Sequence, residues 1–114
     1  MKIENELFQI VYIPENSSIR FSGALRLNSL EEFNKIKQFM LDVYELDSPG
    51  LVLDFTDLVF LNSAGINIVC QFIFEIKEKN AKKIKITGNG GILWQKKSIE
   101  NLKRIWDQIE IEFK

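Results

Sequence analysis

At 114 residues, 46 % of them apolar and 27 % charged, the chain has the size and composition of one folded domain and is too apolar to remain disordered. It has no histidine, which excludes a nucleophile–histidine pair and removes the commonest transition-metal ligand, and its single cysteine, Cys70, can form no internal disulfide. The net charge of −1 is unevenly spread: five Lys/Arg stand against ten Asp/Glu in residues 1–57, and ten against six in residues 58–114.

Lys2, Glu4 and Glu6 alternate with apolar residues, unlike the basic-then-apolar plan of a signal peptide, and no apolar run approaches the length of a membrane span. A cytoplasmic protein without membrane insertion is therefore expected. Residues 6–13 and 18–23 read as an N-terminal hairpin around Pro14-Glu15-Asn16-Ser17, with Phe8, Ile10 and Tyr12 alternating against Gln9 and Val11. Ser29 followed by Glu32 matches a capping box, and Leu30, Phe33, Ile36, Met40 and Val43 recur at helical spacing, so a helix is predicted over about 30–46. Ser48-Pro49-Gly50 ends it and leads into Leu51–Phe55, a run suited to a strand buried on both faces.

A second helix is predicted over 63–80, followed by a strand at Ile84–Thr87, which makes a parallel crossover unit. Lys77, Lys79, Lys82, Lys83 and Lys85 cluster at its end. They read better as cations solvating a helix C-terminus than as a nucleic-acid patch, because no stacking aromatics are interleaved with them, and no nucleic-acid partner is expected. Gly88-Asn89-Gly90-Gly91 reads as a turn rather than a phosphate loop, since no Lys-Ser or Lys-Thr follows. Ser98 is expected to cap a short helix carrying Ile99, Leu102, Ile105 and Trp106, and Ile109–Phe113 alternates as a last strand.

The most informative stretch is Asn62-Ser63-Ala64-Gly65, where an apolar strand gives way to an apolar helix. The first N–H groups of a helix have no partner within it and carry the positive end of its dipole, so a phosphoryl group on Ser63 would be well received there. The plainer alternative is that Asn62 or Ser63 is only an N-cap. At ~100° per residue, Ile66, Val69, Phe72, Ile73 and Ile76 share a face that should be core, with Asn67, Gln71, Glu75 and Glu78 opposite. Ser63, Cys70 and Phe74 fall on the border, where Phe74 either joins a docking face below the serine or tucks under the hairpin. Asp54 and Asp57 are the carboxylates nearest Ser63 in sequence. Without histidine or a phosphate loop they do not suggest an enzyme, and Asp57 is expected to order the turn before the helix.

Two strands, a helix, a strand, a helix opened by a serine, a further strand and a C-terminal helix resemble a STAS domain, the family of anti-sigma factor antagonists and sulphate-transporter tails. The strongest part is Leu51 through Gly65, similar to the family's buried strand, Asp-Leu turn, apolar pair and Asp-Ser-x-Gly element. The resemblance implies a single α/β domain over residues 1–114, with a mixed, mostly parallel sheet, helices packed on it and an N-terminal hairpin. It implies no catalytic activity and no cofactor or metal. In free-standing members the matching serine, here Ser63, is phosphorylated by a partner-switching kinase and restored by a phosphatase, and the unmodified form captures the kinase. On that basis, and on the helix pattern for Cys70 and Phe74, the residues Asn62, Ser63, Ala64, Gly65, Asn67, Cys70, Phe74 and Arg26 are the expected partner-binding residues, and a homodimer is left open. Two positions depart from the pattern: Asn62 stands where the family usually has Asp, and Arg26 lies near the end of the second strand, where many antagonists carry an acid. The rival expectation is a constitutive accessory subunit of a transport or signalling complex, with Ser63 only a cap.

Overall fold

A computed structural model of the protein describes residues 1–46 and 48–114. The hairpin forms as β2 (Phe8–Ile13) and β3 (Ser18–Leu25), antiparallel, with Phe8 and Ile10 turned into the core and the chain reversing through a short 3-10 turn at Pro14–Asn16. An additional edge strand, β1 (Lys2–Glu4), pairs antiparallel with β2. Three residues of mixed polarity give no periodic signal, and this strand is specified by its neighbour rather than by its own pattern. The turn before β2 brings the Leu7 carbonyl so close to Gly23 that a β-carbon there would overlap it, and the backbone of Gly23 lies at φ +88°; both require glycine.

Helix α1 (Leu30–Tyr44) starts as its capping box predicts, with the Ser29 hydroxyl accepting from the Glu32 N–H, and buries Ile36, Phe39, Met40, Val43 and Tyr44. Strand β4 (Gly50–Leu61) is parallel to β3, α2 (Ser63–Lys79) follows it, and β5 (Lys83–Gly88) pairs parallel with β4, Leu51 opposite Ile84 and Leu53 opposite Ile86. This is the expected crossover. Helix α3 (Leu93–Ile105) then leads to β6 (Glu110–Phe113), parallel to β5.

The six strands lie in the order in which they occur along the chain. Successive crossovers therefore advance in one direction across the sheet and place the three helices on one face, α1 against α2 and α2 against α3. Between helices and sheet sits a single apolar core in which Phe21 and Phe55 meet edge to face with ring centroids 4.9 Å apart. The opposite face of the sheet is polar and carries the ion pairs Arg20–Asp57 and Lys85–Glu112.

Three sequence expectations are corrected. Ser98 does not cap a helix: α3 begins five residues earlier, Ile92 precedes it without a side-chain cap, and Ser98 lies half-buried in its middle. The helix is held instead by Gln95, whose buried amide donates to the carbonyls of Phe55 (2.6 Å) and Leu58 (2.8 Å) and accepts from the Asn89 N–H (2.7 Å). Trp106 stands just past the helix end, not within it. Asp57 does not order the turn before α2, because β4 continues to Leu61; Asp57 remains on the strand and pairs with Arg20. The pairing of β3 with β4 shifts in register between Arg20 and Ser22 and again between Gly23 and Ala24.

Candidate functional site

Strand β4 delivers the chain to Asn62, whose extended backbone (φ −82°, ψ 176°) precedes the first turn of α2. The Asn62 Oδ1 accepts from the Gly65 N–H at 3.0 Å, so Asn62 is the N-cap. Its Nδ2 donates to the Leu27 carbonyl at 2.9 Å, and its backbone N–H donates to the Leu25 carbonyl at 3.2 Å. One side chain therefore both caps α2 and fastens the segment that leaves β3 to the helix start. A carboxylate at this position could accept from Gly65 but could not donate to Leu27, which gives a structural reason for asparagine here. Gly65 is buried against Leu61, whose Cδ1 a β-carbon would overlap.

With Asn62 acting as the cap, Ser63 occupies the first helical position, exposed, and its hydroxyl makes no hydrogen bond among the described residues. The cap alternative therefore falls on Asn62 and not on the serine. Ala64 is half-buried and lines a groove of about 490 Å³ between the starts of α1 and α2, together with Leu27, Leu30, Phe33 and Gln71. Arg26 lies on the segment that Asn62 fastens, its guanidinium stacked over the Phe60 ring at 4.4 Å.

Along α2, Ser63, Asn67, Cys70 and Phe74 lie within about 60° of one another at ~100° per residue. All four are at least partly open to solvent, and Phe74 is 56 % exposed. The aromatic therefore does not tuck under the hairpin. Flanking helices decide this: Gln71 and Glu75 lean toward α1, where both contact the Lys37 ammonium, while Ile66 and Val69 line a small cavity together with Trp94 and Leu102 of α3. The stripe carrying Ser63 and Phe74 runs between these two flanks and is left uncovered. Ile66 is half-buried rather than core, and Ile68 joins the buried face. Partial burial raises the pKa of the Cys70 thiol, which keeps it protonated and weakly nucleophilic at neutral pH.

The remaining candidates lie elsewhere. Asp54 accepts from Thr56, and Asp57 pairs with Arg20, both on the helix-free face of the sheet, so neither converges on Ser63. Four of the five lysines at and after the end of α2 are engaged: Lys77 with the Ile105 carbonyl, Lys79 with Glu45, Lys82 with the Leu46 carbonyl and Lys85 with Glu112. Among the described residues no cluster suited to a metal ion is found, and no helix is long and apolar enough to cross a membrane. The sequence did not foretell the exposed Val59 (59 %) and Phe60 (37 %) at the end of β4. Their only signal was two large apolar residues in succession beside a buried Leu58, which cannot both face inward on a strand.

No family model matches the chain, and neither does any curated protein sequence. Solved structures do, among them two from Pseudomonas aeruginosa. One is the complex of the diguanylate cyclase SiaD with its activator SiaC from Pseudomonas aeruginosa, in which the matching chain superposes with a TM-score of 0.73 at 14 % identity, covering 100 % of this chain and 99 % of that one. The other is apo-SiaC from Pseudomonas aeruginosa, with a TM-score of 0.69 at 12 % identity, covering 98 % of each chain. At these identities the likeness is one of architecture: from end to end, the α/β fold built here from β1 to β6 is shared with these structures.

Proposed function

We propose that this protein is a non-enzymatic regulator that binds another protein through the end of the molecule where α2 begins, and that phosphorylation of Ser63 weakens this association. The observation that carries the reading is the division of labour between neighbours: Asn62 caps the helix, which leaves the Ser63 hydroxyl exposed and without a structural duty. Beside it run Asn67, Cys70 and the exposed ring of Phe74, a surface suited to a partner's apolar side chains. A phosphate would add roughly −1.5 to −2 charges at the head of this surface, stabilised by the helix N-terminus, and would oppose apolar docking. The fold shared with SiaC, whose crystal structure with SiaD is that of an activator bound to a diguanylate cyclase, supports a binding role. The modifying enzyme in this reading is a serine kinase, with a phosphatase to reverse it.

The test is made on protein recovered from its native cells. Peptide mass spectrometry should find phosphate on Ser63, and Ser63→Ala should retain a co-purifying protein that Ser63→Asp releases. Phosphate confined to other residues, or equal retention of the partner by both variants, would refute the proposal.

A further inference from the structure

Three large apolar side chains are left exposed at one end of the molecule. Leu30 (74 %) and Leu93 (97 %) are the first residues of α1 and α3, and Val59 lies near the end of β4. They share that end because β3, β4 and β5 are parallel and each is followed by a helix that starts where the strand stops. The same end is charged oppositely at its two edges. On the α1 side stand Glu6, Glu31 and Glu32, offset by Lys35, beside a groove of about 350 Å³ whose walls include Ile3, Phe8 and Ile36, while Arg26 lies between the two edges over Phe60. On the α3 side stand Lys96 and Lys97, exposed, in a first turn and a half with no acidic residue. Among the described residues Glu6, Glu31, Glu32, Lys35, Lys96 and Lys97 take part in no ion pair. Cations near a helix N-terminus oppose its dipole, so Lys96 and Lys97 gain nothing from the field of α3.

One molecule cannot bring its own two rims together, because α2 stands between α1 and α3. A second copy can. We infer that two copies associate end to end about a two-fold axis, the acidic rim of each against the basic rim of the other, with Leu30, Val59 and Leu93 enclosed between them. A two-fold arrangement makes each complementary contact twice and closes at two subunits, and the net charge of −1 leaves little overall repulsion to overcome. Ser63 opens α2 at this same end, so self-association overlaps the partner-binding surface proposed above and is a property of the unphosphorylated protein.

Sedimentation equilibrium of the full chain at low salt tests it. The mass should rise with concentration from 13.3 kDa to twice that value and stop, and added salt should shift the equilibrium toward monomer. Lys96→Glu/Lys97→Glu and Glu6→Lys/Glu31→Lys should each weaken self-association about tenfold or more, and an equimolar mixture of the two should restore the dimer. That rescue requires both variants to be folded and so separates lost charge from lost structure. A monomer at every concentration, assembly beyond two subunits, or a mixture that stays monomeric would overturn the inference. None of these results bears on the state of Ser63, which mass spectrometry reads independently.

Discussion

Replacing Asn62 by alanine removes the acceptor for the Gly65 N–H and the donor to the buried Leu27 carbonyl in a single step. Loss of the cap costs about 1 kcal/mol, and leaving a buried carbonyl without a partner costs about 1–3 kcal/mol, so the sum is roughly 2–4 kcal/mol. For a domain of this size that lowers the thermal midpoint by on the order of 10 °C. Ser63→Ala, one residue on, should change stability by less than about 0.5 kcal/mol, because the hydroxyl it removes has no partner among the described residues. Asn62→Asp is the discriminating variant. It keeps the acceptor and gains about 0.3–1 kcal/mol from the helix dipole, yet it sets a carboxylate against the Leu27 carbonyl, for a net loss of about 1–2 kcal/mol. Thermal and urea unfolding followed by far-UV circular dichroism would rank the three. Ser63→Ala as damaging as Asn62→Ala, or Asn62→Asp no less stable than the parent, would refute the account of this helix start.

Phe74→Ala should lower stability by less than about 1 kcal/mol, since the ring is mostly exposed, while weakening partner binding by about 2 kcal/mol, or roughly thirtyfold; urea midpoint and affinity measured on the same variant separate these effects. Gln95→Leu should cost about 3–5 kcal/mol in urea unfolding, because the Phe55 and Leu58 carbonyls and the Asn89 N–H all lose their partner. The Cys70 thiol has its pKa raised by burial, so its thiolate fraction is small at neutral pH and grows as pH rises. Alkylation by iodoacetamide should be slower than for a free cysteine and still accelerating at about pH 9, whereas a plateau near neutral pH would contradict the burial argument.

Periodicity placed the elements that carry strong repeating patterns. Ile36, Met40 and Val43 specify α1, Leu51, Leu53 and Phe55 specify a buried strand, and Phe72, Ile73 and Ile76 specify the inner face of α2, because each pattern buries one face at the period of its own secondary structure. A strand, a helix and a second strand in succession then left a parallel crossover as the economical connection, and the mixed sheet followed. Ser63 at a helix start was legible for the same reason.

What the residues could not decide alone were choices settled by contacts far apart in the chain. Whether Asn62 or Ser63 caps α2 depends on the Leu27 carbonyl, 35 residues away, which selects an amide over a hydroxyl. The start of α3 is set by Gln95 reaching back to β4, so the local signal at Ser98 was overridden by a buried hydrogen-bond cluster. Phe74 shows the same limit from the outside. Its position on α2 was fixed by helical spacing, but its exposure was fixed only when α1 and α3 closed over the flanks of that helix and left the serine's stripe uncovered. A single helix determines which side chains share a face; burial depends on the neighbours that pack against that face, and these are brought together only by the tertiary fold.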